Sequence, residues 1–472
     1  MTANPLRLRR WGTIPTACLM LAATLLAVNE PVLAQVPRIQ GQGSAASGMG
    51  NAFAAQADDA SALHYNPAGM TQLRGVQFMN GSLFVAGNTH YTSPTGVNTT
   101  GDRDGTAWPP PTHLYLTANM KDLGLDALEN WTVGVGVNSP FGSLTQYPVN
   151  APFSNTVTFN ILPLLDIKPT VAYKLNDYLS FGLGADIYTF STLFGEGRLE
   201  IKSTGAPNGL GPQLEVNGSG TGAGLNASMM YTPFRNAEGK PLANIGLVYR
   251  SQAVVPLSGQ FMVNGATVAD AKANLVLPPI YAGAIALWPV RDQEREWKLE
   301  LDVDYVGWKS FRSTTISLSN PVPALGLGPG IPVRQDWRNS YNVMIGTEYK
   351  WLKIERLPEW EIAARAGYMN IQTQMPDQTF NPGIPSADQY IPSFGLGFTC
   401  KENGSFFGLT KCGNLGIGIK PKAIGLDLSY QAVFYEERTI TGNANPPGPT
   451  NNVNGTYKTM LHAGGVSIRI NF

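Results

Sequence analysis

The sequence predicts an all-β fold, a 14-stranded antiparallel transmembrane β-barrel with an N-terminal plug, or hatch, in its lumen. Segments of about ten residues that alternate apolar with polar side chains recur along the chain, and this is the length that a tilted strand needs to cross a bilayer. The connections between these segments alternate between short and long, as in barrels with short periplasmic turns and long outer loops. No run of 18 consecutive apolar residues follows residue 34, so no membrane-spanning helix is predicted.

The first 34 residues have the organisation of a secretory signal peptide. The basic start carries three arginines: Arg7, Arg9 and Arg10. An apolar stretch over residues 14–28 follows, and Val-Leu-Ala at residues 32–34 has the small-x-small pattern of a cleavage site. We therefore expect a signal peptide over residues 1–34, cleavage before Gln35 and an exported mature chain.

Composition and charge narrow the classes of function. The predicted mature chain of 438 residues keeps 30 Lys and Arg against 32 Asp and Glu. Phosphate binding needs a basic surface, so no nucleic-acid partner is expected. Cys400 and Cys412 remain in an oxidising compartment and are expected to form a small loop-closing disulfide. No histidine lies near them in sequence, so no metal site is predicted there, and no cofactor is expected.

The strand assignments rest on alternation with a period of two. Leu299, Leu301 and Val303 share one face of a segment whose other face carries Lys298 and Glu300, the pattern of a strand with one apolar and one polar side. Aromatic residues lie near segment ends, as interface girdles do: Trp131, Trp297, Trp308, Trp337, Tyr349 and Trp351. The fourteen predicted strands cover residues 75–86, 112–120, 131–141, 167–176, 178–192, 221–232, 243–259, 278–290, 296–310, 337–351, 359–374, 391–400, 422–440 and 456–472. We expect the barrel domain to span residues 75–472.

The C-terminal segment carries the clearest pattern. Counting back in twos from Phe472 gives Ile470, Ile468 and Val466 on one face. An alternating strand that ends on an aromatic residue is typical of bacterial outer-membrane barrels, whose last strand is read by the assembly machinery. The alternative is an edge strand of a soluble sandwich. Because the rest of the chain alternates over bilayer-crossing lengths, the prediction is an integral protein of the bacterial outer membrane.

Residues 35–74 do not alternate and form the second predicted domain. Small residues dominate this segment, which suits tight packing in a confined space, and the Asn-Pro-Ala-Gly sequence at residues 66–69 predicts an ordered turn. A compact element before the first strand suggests a plug inside the barrel; the alternative is a flexible periplasmic tail. A superficial match to a dinucleotide-binding loop at residues 41–46 lacks the strand and α/β pattern that such a loop needs.

Several motifs resemble the FadL/TodX type of outer-membrane transporters for hydrophobic compounds, and the resemblance covers essentially the whole mature chain. The hatch motif is carried by Gly50, Asn51, Phe53, Asp58, Asp59, Asn66, Pro67 and Ala68. Further matches lie at residues 138–142, 302–308, 365–368 and 434–438. The resemblance implies a fourteen-stranded barrel plugged by the hatch. It also implies uptake of long-chain fatty acids or aromatic hydrocarbons by capture at the outer loops, transfer to an apolar lumenal pocket and lateral release into the membrane.

A candidate for the lateral exit lies at the end of the third predicted strand: Ser139, Pro140, Phe141 and Gly142. Proline lacks the N–H that a strand ladder needs, and glycine tolerates unusual backbone angles. Unpaired backbone facing lipid is costly, so a gap in the ladder here is expected to face a ligand path. The alternative is that Pro140 lies just beyond the strand in a loop.

Competing functions remain open on the sequence. A hydrophilic porin would leave the lumen unplugged. An outer-membrane lipid-modifying enzyme could use a dispersed Ser/His pair, although Gly-x-Ser-x-Gly and His-Glu-x-x-His motifs are absent, and no catalytic residue is predicted. Adhesion or phage binding are surface properties that any long-looped barrel can acquire. The expectation is therefore a channel and not an enzyme.

The expected partners follow from this interpretation. They are a hydrophobic small-molecule substrate, the lipid bilayer with its lipopolysaccharide, and the assembly machinery acting through Phe472; a monomer is expected. Long-chain fatty acids would need a cation for the carboxylate, whereas monoaromatic hydrocarbons need only apolar walls. The stretch from Thr399 to Cys412 resembles some aromatic-hydrocarbon members of the family, which favours aromatic substrates.

Overall fold

The computed structural model describes residues 37–102, 105–193, 195–311, 313–415, 420–444 and 452–472. Within these residues the chain forms a closed antiparallel barrel of 14 strands, which confirms the predicted all-β barrel. The signal peptide predicted for residues 1–34 lies outside the described residues. No helix in the described ranges is long and apolar enough to cross a membrane.

The barrel strands follow one another around the ring in chain order. They are β1 (Val76–Thr92), β2 (Thr112–Asn119), β3 (Trp131–Asn138), β4 (Leu165–Lys174), β5 (Leu179–Thr189), β6 (Gly222–Arg235), β7 (Pro241–Arg250), β8 (Ile280–Arg291), β9 (Arg295–Val306), β10 (Ser340–Trp351), β11 (Trp360–Ile371), β12 (Gln389–Lys401), β13 (Ala423–Tyr435) and β14 (Gly455–Asn471). Strand β14 closes the ring on β1, with Asn471 opposite Gln77 and Thr456 opposite Thr92. The full-length pairing of the first and last strands leaves the barrel without a free edge.

The connections differ between the two ends of the barrel. At one end they are short, and the tight turn at residues 176–177 is closed by the Leu175 N–H, which donates to the Leu179 carbonyl at 3.0 Å. This is the periplasmic end in barrels of this type. At the other end the outer loops carry further strands: Asn98–Gly101, Gly142–Gln146, Phe159–Pro163, Leu199–Thr204, Gln213–Gly218, Ala253–Val263, Ala266–Leu277, Ser313–Leu318, Gly330–Arg334 and Arg438–Ile440. A small hairpin of Ser405–Phe406 and Thr410–Lys411 lies at the periplasmic end.

Several predicted strands were too long, and two of them divide. The segment predicted at 243–259 divides, because β7 ends at Arg250 and Ala253–Val263 forms a separate strand that pairs with two loop strands. The segment predicted at 422–440 is interrupted after Tyr435, and Arg438–Ile440 then pairs with β14 again. The segment predicted at 131–141 ends at Asn138, two residues before a proline that cannot donate to a neighbouring strand.

Apolar and polar side chains lie on opposite faces of the strands, as the alternation predicts. On β9, Leu299 and Leu301 are exposed on the outside of the barrel, while Lys298, Glu300 and Asp302 are buried on the inside. The N-terminal segment, residues 37–74, carries helix α1 (Ser44–Gly48), helix α2 (Ala62–Tyr65) and a 3-10 helix over Pro67–Gln72. Further 3-10 turns are Asp126–Leu128, Trp308–Ser310, Pro323–Leu325 and Asp377–Thr379.

Candidate functional site

The N-terminal segment packs against the inward face of the barrel wall. In α1 the Ser44 hydroxyl lies 2.7 Å from the Ser467 hydroxyl of β14, and the Ser47 carbonyl accepts from the Gln431 amide of β13 at 3.0 Å. A Cβ atom at Gly50, whose φ is +63°, would lie 2.7 Å from the Tyr368 backbone nitrogen. Only glycine allows both that backbone angle and that approach to β11.

Two carboxylates of β9 hold the backbone of this segment. One oxygen of Asp302 accepts from the N–H groups of Phe53 and Ala54, at 3.0 and 2.9 Å. One oxygen of Glu300 accepts from the next two N–H groups, those of Ala55 at 2.7 Å and Gln56 at 3.1 Å. Because each buried N–H that finds an acceptor avoids the cost of an unmade hydrogen bond, these four bonds anchor residues 53–56 to the wall.

The Asn-Pro-Ala sequence forms a compact turn that joins two parts of the segment. The Asn66 side chain accepts from the Ala68 N–H at 3.1 Å and donates to the Ala54 carbonyl at 2.7 Å. Pro67 begins the 3-10 helix, where its missing N–H costs nothing. The Ala68 N–H also donates to the Ser228 hydroxyl of β6 at 2.9 Å, so the turn is tied to the wall three strands away from β9.

The remaining hatch-motif residues lie in the same packed body. Asn51 accepts from the Tyr65 hydroxyl at 3.1 Å, and the Phe53 ring meets the Tyr65 ring edge-on at 5.4 Å. The Asp58 carboxylate pairs with Lys350 of β10 at 3.2 Å, and Asp59 accepts from the N–H and hydroxyl of Ser61. The structure thus brings together all eight residues of the motif.

The Ser139–Gly142 stretch lies beyond the end of β3 and outside the barrel ladder, so the expectation of a proline within a paired strand was wrong. The stretch pairs instead with the start of the N-terminal segment. The Ile39 N–H donates to the Pro140 carbonyl at 2.9 Å, and the Gly142 N–H donates to the Pro37 carbonyl at 3.1 Å. Since Pro140 contributes only its carbonyl, its missing N–H leaves no bond unmade.

The Gln42 side chain makes two hydrogen bonds to the backbone of Ser139, the first residue of this stretch. Its side-chain amide donates to the Ser139 carbonyl at 2.9 Å, and its amide oxygen accepts from the Ser139 N–H at 3.2 Å. The Gln42 carbonyl accepts from the Tyr115 hydroxyl of β2 at 2.9 Å. Through these bonds the N-terminal segment replaces the strand neighbour that residue 139 would otherwise have.

The ladder between β2 and β3 ends beside this stretch. Its last pair is Leu114 of β2 with Val137 of β3. Thr112 and His113 pair with Ser82 and Gly81 of β1, and among the described residues no β3 partner continues the ladder on their other side. The ladder is therefore interrupted where the Ser139–Gly142 stretch leaves β3.

A cavity of about 860 Å³ lies above the N-terminal segment, enclosed by the outer loops. Apolar side chains from several loops and strands line it: Val85, Phe141, Leu144, Leu162, Trp308 and Leu461. Phe141 and Gly142 belong to this wall, so the cavity adjoins the interruption between β2 and β3. An apolar, mostly preformed space of this size suits a small hydrophobic ligand.

Two charged side chains line the cavity among the described residues, Arg38 and Asp102. Arg38 is ion-paired with the buried Asp304 of β9, so its charge is already neutralised. The Asp102 carboxylate accepts from the Gln146 N–H at 2.7 Å, and burial raises the pKa of this carboxyl to about 6. At neutral pH the described residues of the cavity wall therefore present the ion-paired Arg38 and the Asp102 carboxylate.

Cys400 and Cys412 are joined by a disulfide with a Cα–Cα distance of 6.0 Å. Both sulfurs are buried beside Ile424 at the periplasmic end, far along the strands from the cavity in the outer loops.

Sequence reasoning missed the anchoring roles of Glu300, Asp302, Gln42 and Arg38. The acidic residues at 300, 302 and 304 share the polar face of their strand, and the alternation alone assigned that face no anchoring role. Their spacing of two on one strand did indicate a continuous acidic stripe inside the barrel. Nothing local to residues 38 or 42 indicated their partners, because those partners lie 266 and 97 residues away.

A closed barrel with an apolar cavity among its outer loops is an architecture that suits an outer-membrane transport protein. The sequence matches the family described as outer membrane protein transport protein (OMPP1/FadL/TodX) over residues 33–406. Because this match covers most of the chain, the protein belongs to that family and resides in the outer membrane as an integral channel.

Relatives and solved structures agree with this assignment. The long-chain fatty acid transport protein of Escherichia coli (strain K12) is 22% identical over 401 residues, covering 76% of this chain and 83% of the relative. A Pseudomonas aeruginosa FadL homologue superposes with a TM-score of 0.66 at 15% identity, covering 94% of this chain and 100% of that one. The P. putida toluene transporter TodX gives 0.59 at 16% identity, covering 92% and 99%. At these identities the structures show a shared fold.

Proposed function

We propose that the protein takes up small, uncharged hydrophobic molecules across the outer membrane, with monoaromatic hydrocarbons as the preferred class and long-chain fatty acids as the alternative. The observation that carries this proposal is the apolar cavity whose one described cation, Arg38, is engaged by Asp304. A fatty-acid carboxylate would need an unpaired cation, whereas a hydrocarbon needs none. Named transporters of both substrate classes occur among the similar proteins.

The proposed path begins at the outer loops and ends in the lipid. A hydrophobic solute crosses the lipopolysaccharide leaflet poorly and is captured by the cavity. Residues 35–74 act as a hatch that blocks the lumen below the cavity. The described part of this segment, residues 37–74, is mostly buried and is anchored on β6, β9, β13 and β14. The solute then leaves sideways past Ser139–Gly142, where the wall between β2 and β3 is interrupted. No bond changes in this process, and each site has only to bind weakly enough to release.

We also propose interactions with the assembly machinery and with lipopolysaccharide, and a monomeric state. The assembly machinery is proposed to read β14 and Phe472, whose backbone N–H is bonded to the Val76 carbonyl at 2.8 Å in the finished barrel. The outer loops are proposed to contact lipopolysaccharide. A monomer is proposed, because closure of β14 on β1 satisfies both barrel edges within one chain.

The ion pair offers a direct test of the substrate class. Asp304→Asn leaves Arg38 without its carboxylate and gives the cavity a free cation, so binding of oleate should strengthen while binding of toluene stays unchanged. The matched control is Asp336→Asn, which breaks the exposed Arg334–Asp336 pair of an outer loop. Saturation binding of both labelled compounds to the purified protein measures the two effects.

Two results would contradict the proposal. If the native protein binds oleate tightly and Arg38→Ala abolishes that binding, Arg38 leaves Asp304 for the substrate and the protein is a fatty-acid transporter. If the native protein in planar bilayers carries a steady large current, the hatch does not block the lumen and the protein acts as a hydrophilic porin.

A further inference from the structure

The periplasmic hairpin between β12 and β13 exposes apolar side chains where a soluble turn would carry polar ones. Phe407 is 54% exposed and Leu409 is 84% exposed. The hairpin pairs Ser405 with Lys411 and Phe406 with Thr410, so residues 407–409 form its tip. The disulfide and the bond from the Cys412 N–H to the Gly404 carbonyl, at 2.9 Å, hold its base.

The backbone at the tip is strained to place one of these side chains. Phe407 has a φ of +48°, a region in which a bulky residue is an outlier and in which hairpin turns normally use glycine or asparagine. Such strain costs on the order of 1–3 kcal/mol. Neighbouring aromatic side chains cover only part of the Phe407 ring, and the exposed part is open to an apolar partner outside the chain.

The exposed tip continues the lipid-facing surface of the barrel. Phe394 and Leu396 of β12 are exposed on the outside of the barrel, and Phe398 follows them on the same face. The Phe407 ring meets the Phe398 ring at 6.1 Å and the Trp360 ring of β11 at 5.0 Å. The hairpin therefore folds back toward the membrane side of the wall and extends the aromatic girdle that marks a bilayer interface.

The connection between β12 and β13 carries more basic than acidic residues, which suits contact with anionic phospholipid headgroups. Residues 402–422 contain three lysines, Lys411, Lys420 and Lys422, and one acidic residue, Glu402. All four are exposed. Lysines at a membrane surface attract anionic headgroups, while the apolar tip beside them reaches the acyl boundary.

We propose that this disulfide-closed hairpin, residues 400–412, is a membrane-interface anchor whose tip inserts Phe407 and Leu409 into the phospholipid leaflet on the periplasmic side. Insertion removes the exposed apolar surface from water and gives the strained aromatic its partner. The disulfide and the buried cluster beneath it keep the tip in the orientation that reaches the lipid. This anchoring is independent of the substrate that the channel carries.

The test places a nitroxide label at Leu409→Cys in the mature chain, with Cys400 and Cys412 left oxidised, in phospholipid nanodiscs. Accessibility to oxygen, which concentrates in lipid, is compared with accessibility to a water-soluble nickel chelate. Phe394→Cys on the lipid-facing band is the membrane reference. Asp177→Cys, in the exposed turn between β4 and β5 at the same end, is the water reference.

The proposal predicts high oxygen and low nickel accessibility at position 409, matching the Phe394→Cys reference. Phe407→Asn relieves the turn strain and removes the ring, so it should shift the position 409 label toward the water reference without lowering thermal stability in detergent. A native position 409 label that matches the Asp177→Cys reference would overturn the proposal. Protection from both reagents would also overturn it, because it would mean that protein and not lipid covers the tip.

Discussion

Removing the Asp302 carboxyl should release the first part of the hatch from the wall. In Asp302→Ala the Phe53 and Ala54 N–H groups lose the oxygen to which they donate at 3.0 and 2.9 Å. A hydrogen bond contributes about 1 kcal/mol net, so the loss of two bonds costs the anchored state about 2 kcal/mol. This corresponds to an about thirtyfold larger population of the released segment.

Hydrogen exchange of the protein in nanodiscs measures this population. The amides of residues 53 and 54 should exchange about thirtyfold faster in Asp302→Ala, because exchange follows local opening. Glu296→Ala is the matched control: Glu296 is an inward carboxylate of the same strand that pairs with Arg291 and Lys240 and not with the hatch. Unchanged exchange at residues 53–54, or equal acceleration in the control, would refute the anchoring role of Asp302.

Three further predictions concern the exit, the hatch turn and an outer loop. Pro140→Val with Gly142→Val should abolish uptake in an assembled barrel, since a Cβ at Gly142 would lie 3.0 Å from the Leu162 carbonyl oxygen. Heat-modifiable gel migration checks that the variant barrel is assembled. Normal uptake by the assembled variant would exclude a lateral exit at this stretch. Asn66→Ala should lower uptake, because it removes the 2.7 Å bond from that side chain to the hatch backbone; native uptake at equal expression would contradict this. Burial raises the pKa of Asp102 from 3.8 to about 6, so its contribution to loop stability is present at low pH and is lost as pH rises through about 6. Asp102→Asn should remove this pH dependence of protease resistance, and an unaltered profile would show that another group titrates.

The sequence predicted the barrel because its strands are both long and regular. Fourteen alternating segments of bilayer-crossing length leave little freedom in register, since a slip of one residue would turn every apolar side chain inward. The predicted strand ends were wrong where the alternation of apolar and polar residues continues into the outer loops. Val255 and Leu257 keep the period of Leu247 and Tyr249 beyond Arg250, although Ala253–Val263 pairs mainly with other loop strands.

The candidate site was less accessible to sequence reasoning because it depends on distant pairings. The hatch motif was recognised by resemblance, and its small residues indicated close packing. The pairing of residues 37–39 with residues 140–142 joins segments about 100 residues apart, and no local pattern specifies such a contact. The same holds for Arg38 and Asp304, whose pairing changes the expected chemistry of the cavity from anion binding to binding of uncharged molecules.

Side-by-side uptake of labelled toluene and labelled oleate at limiting concentration tests the proposed function most directly. The host is a strain without its own transporter of this type, and surface proteolysis with heat-modifiable gel migration confirms that the barrel is assembled. Toluene uptake well above the empty-vector strain, with little gain for oleate, is the predicted result. Oleate uptake without toluene uptake would contradict the assigned substrate class, and uptake of neither compound by an assembled barrel would contradict hydrophobic transport itself.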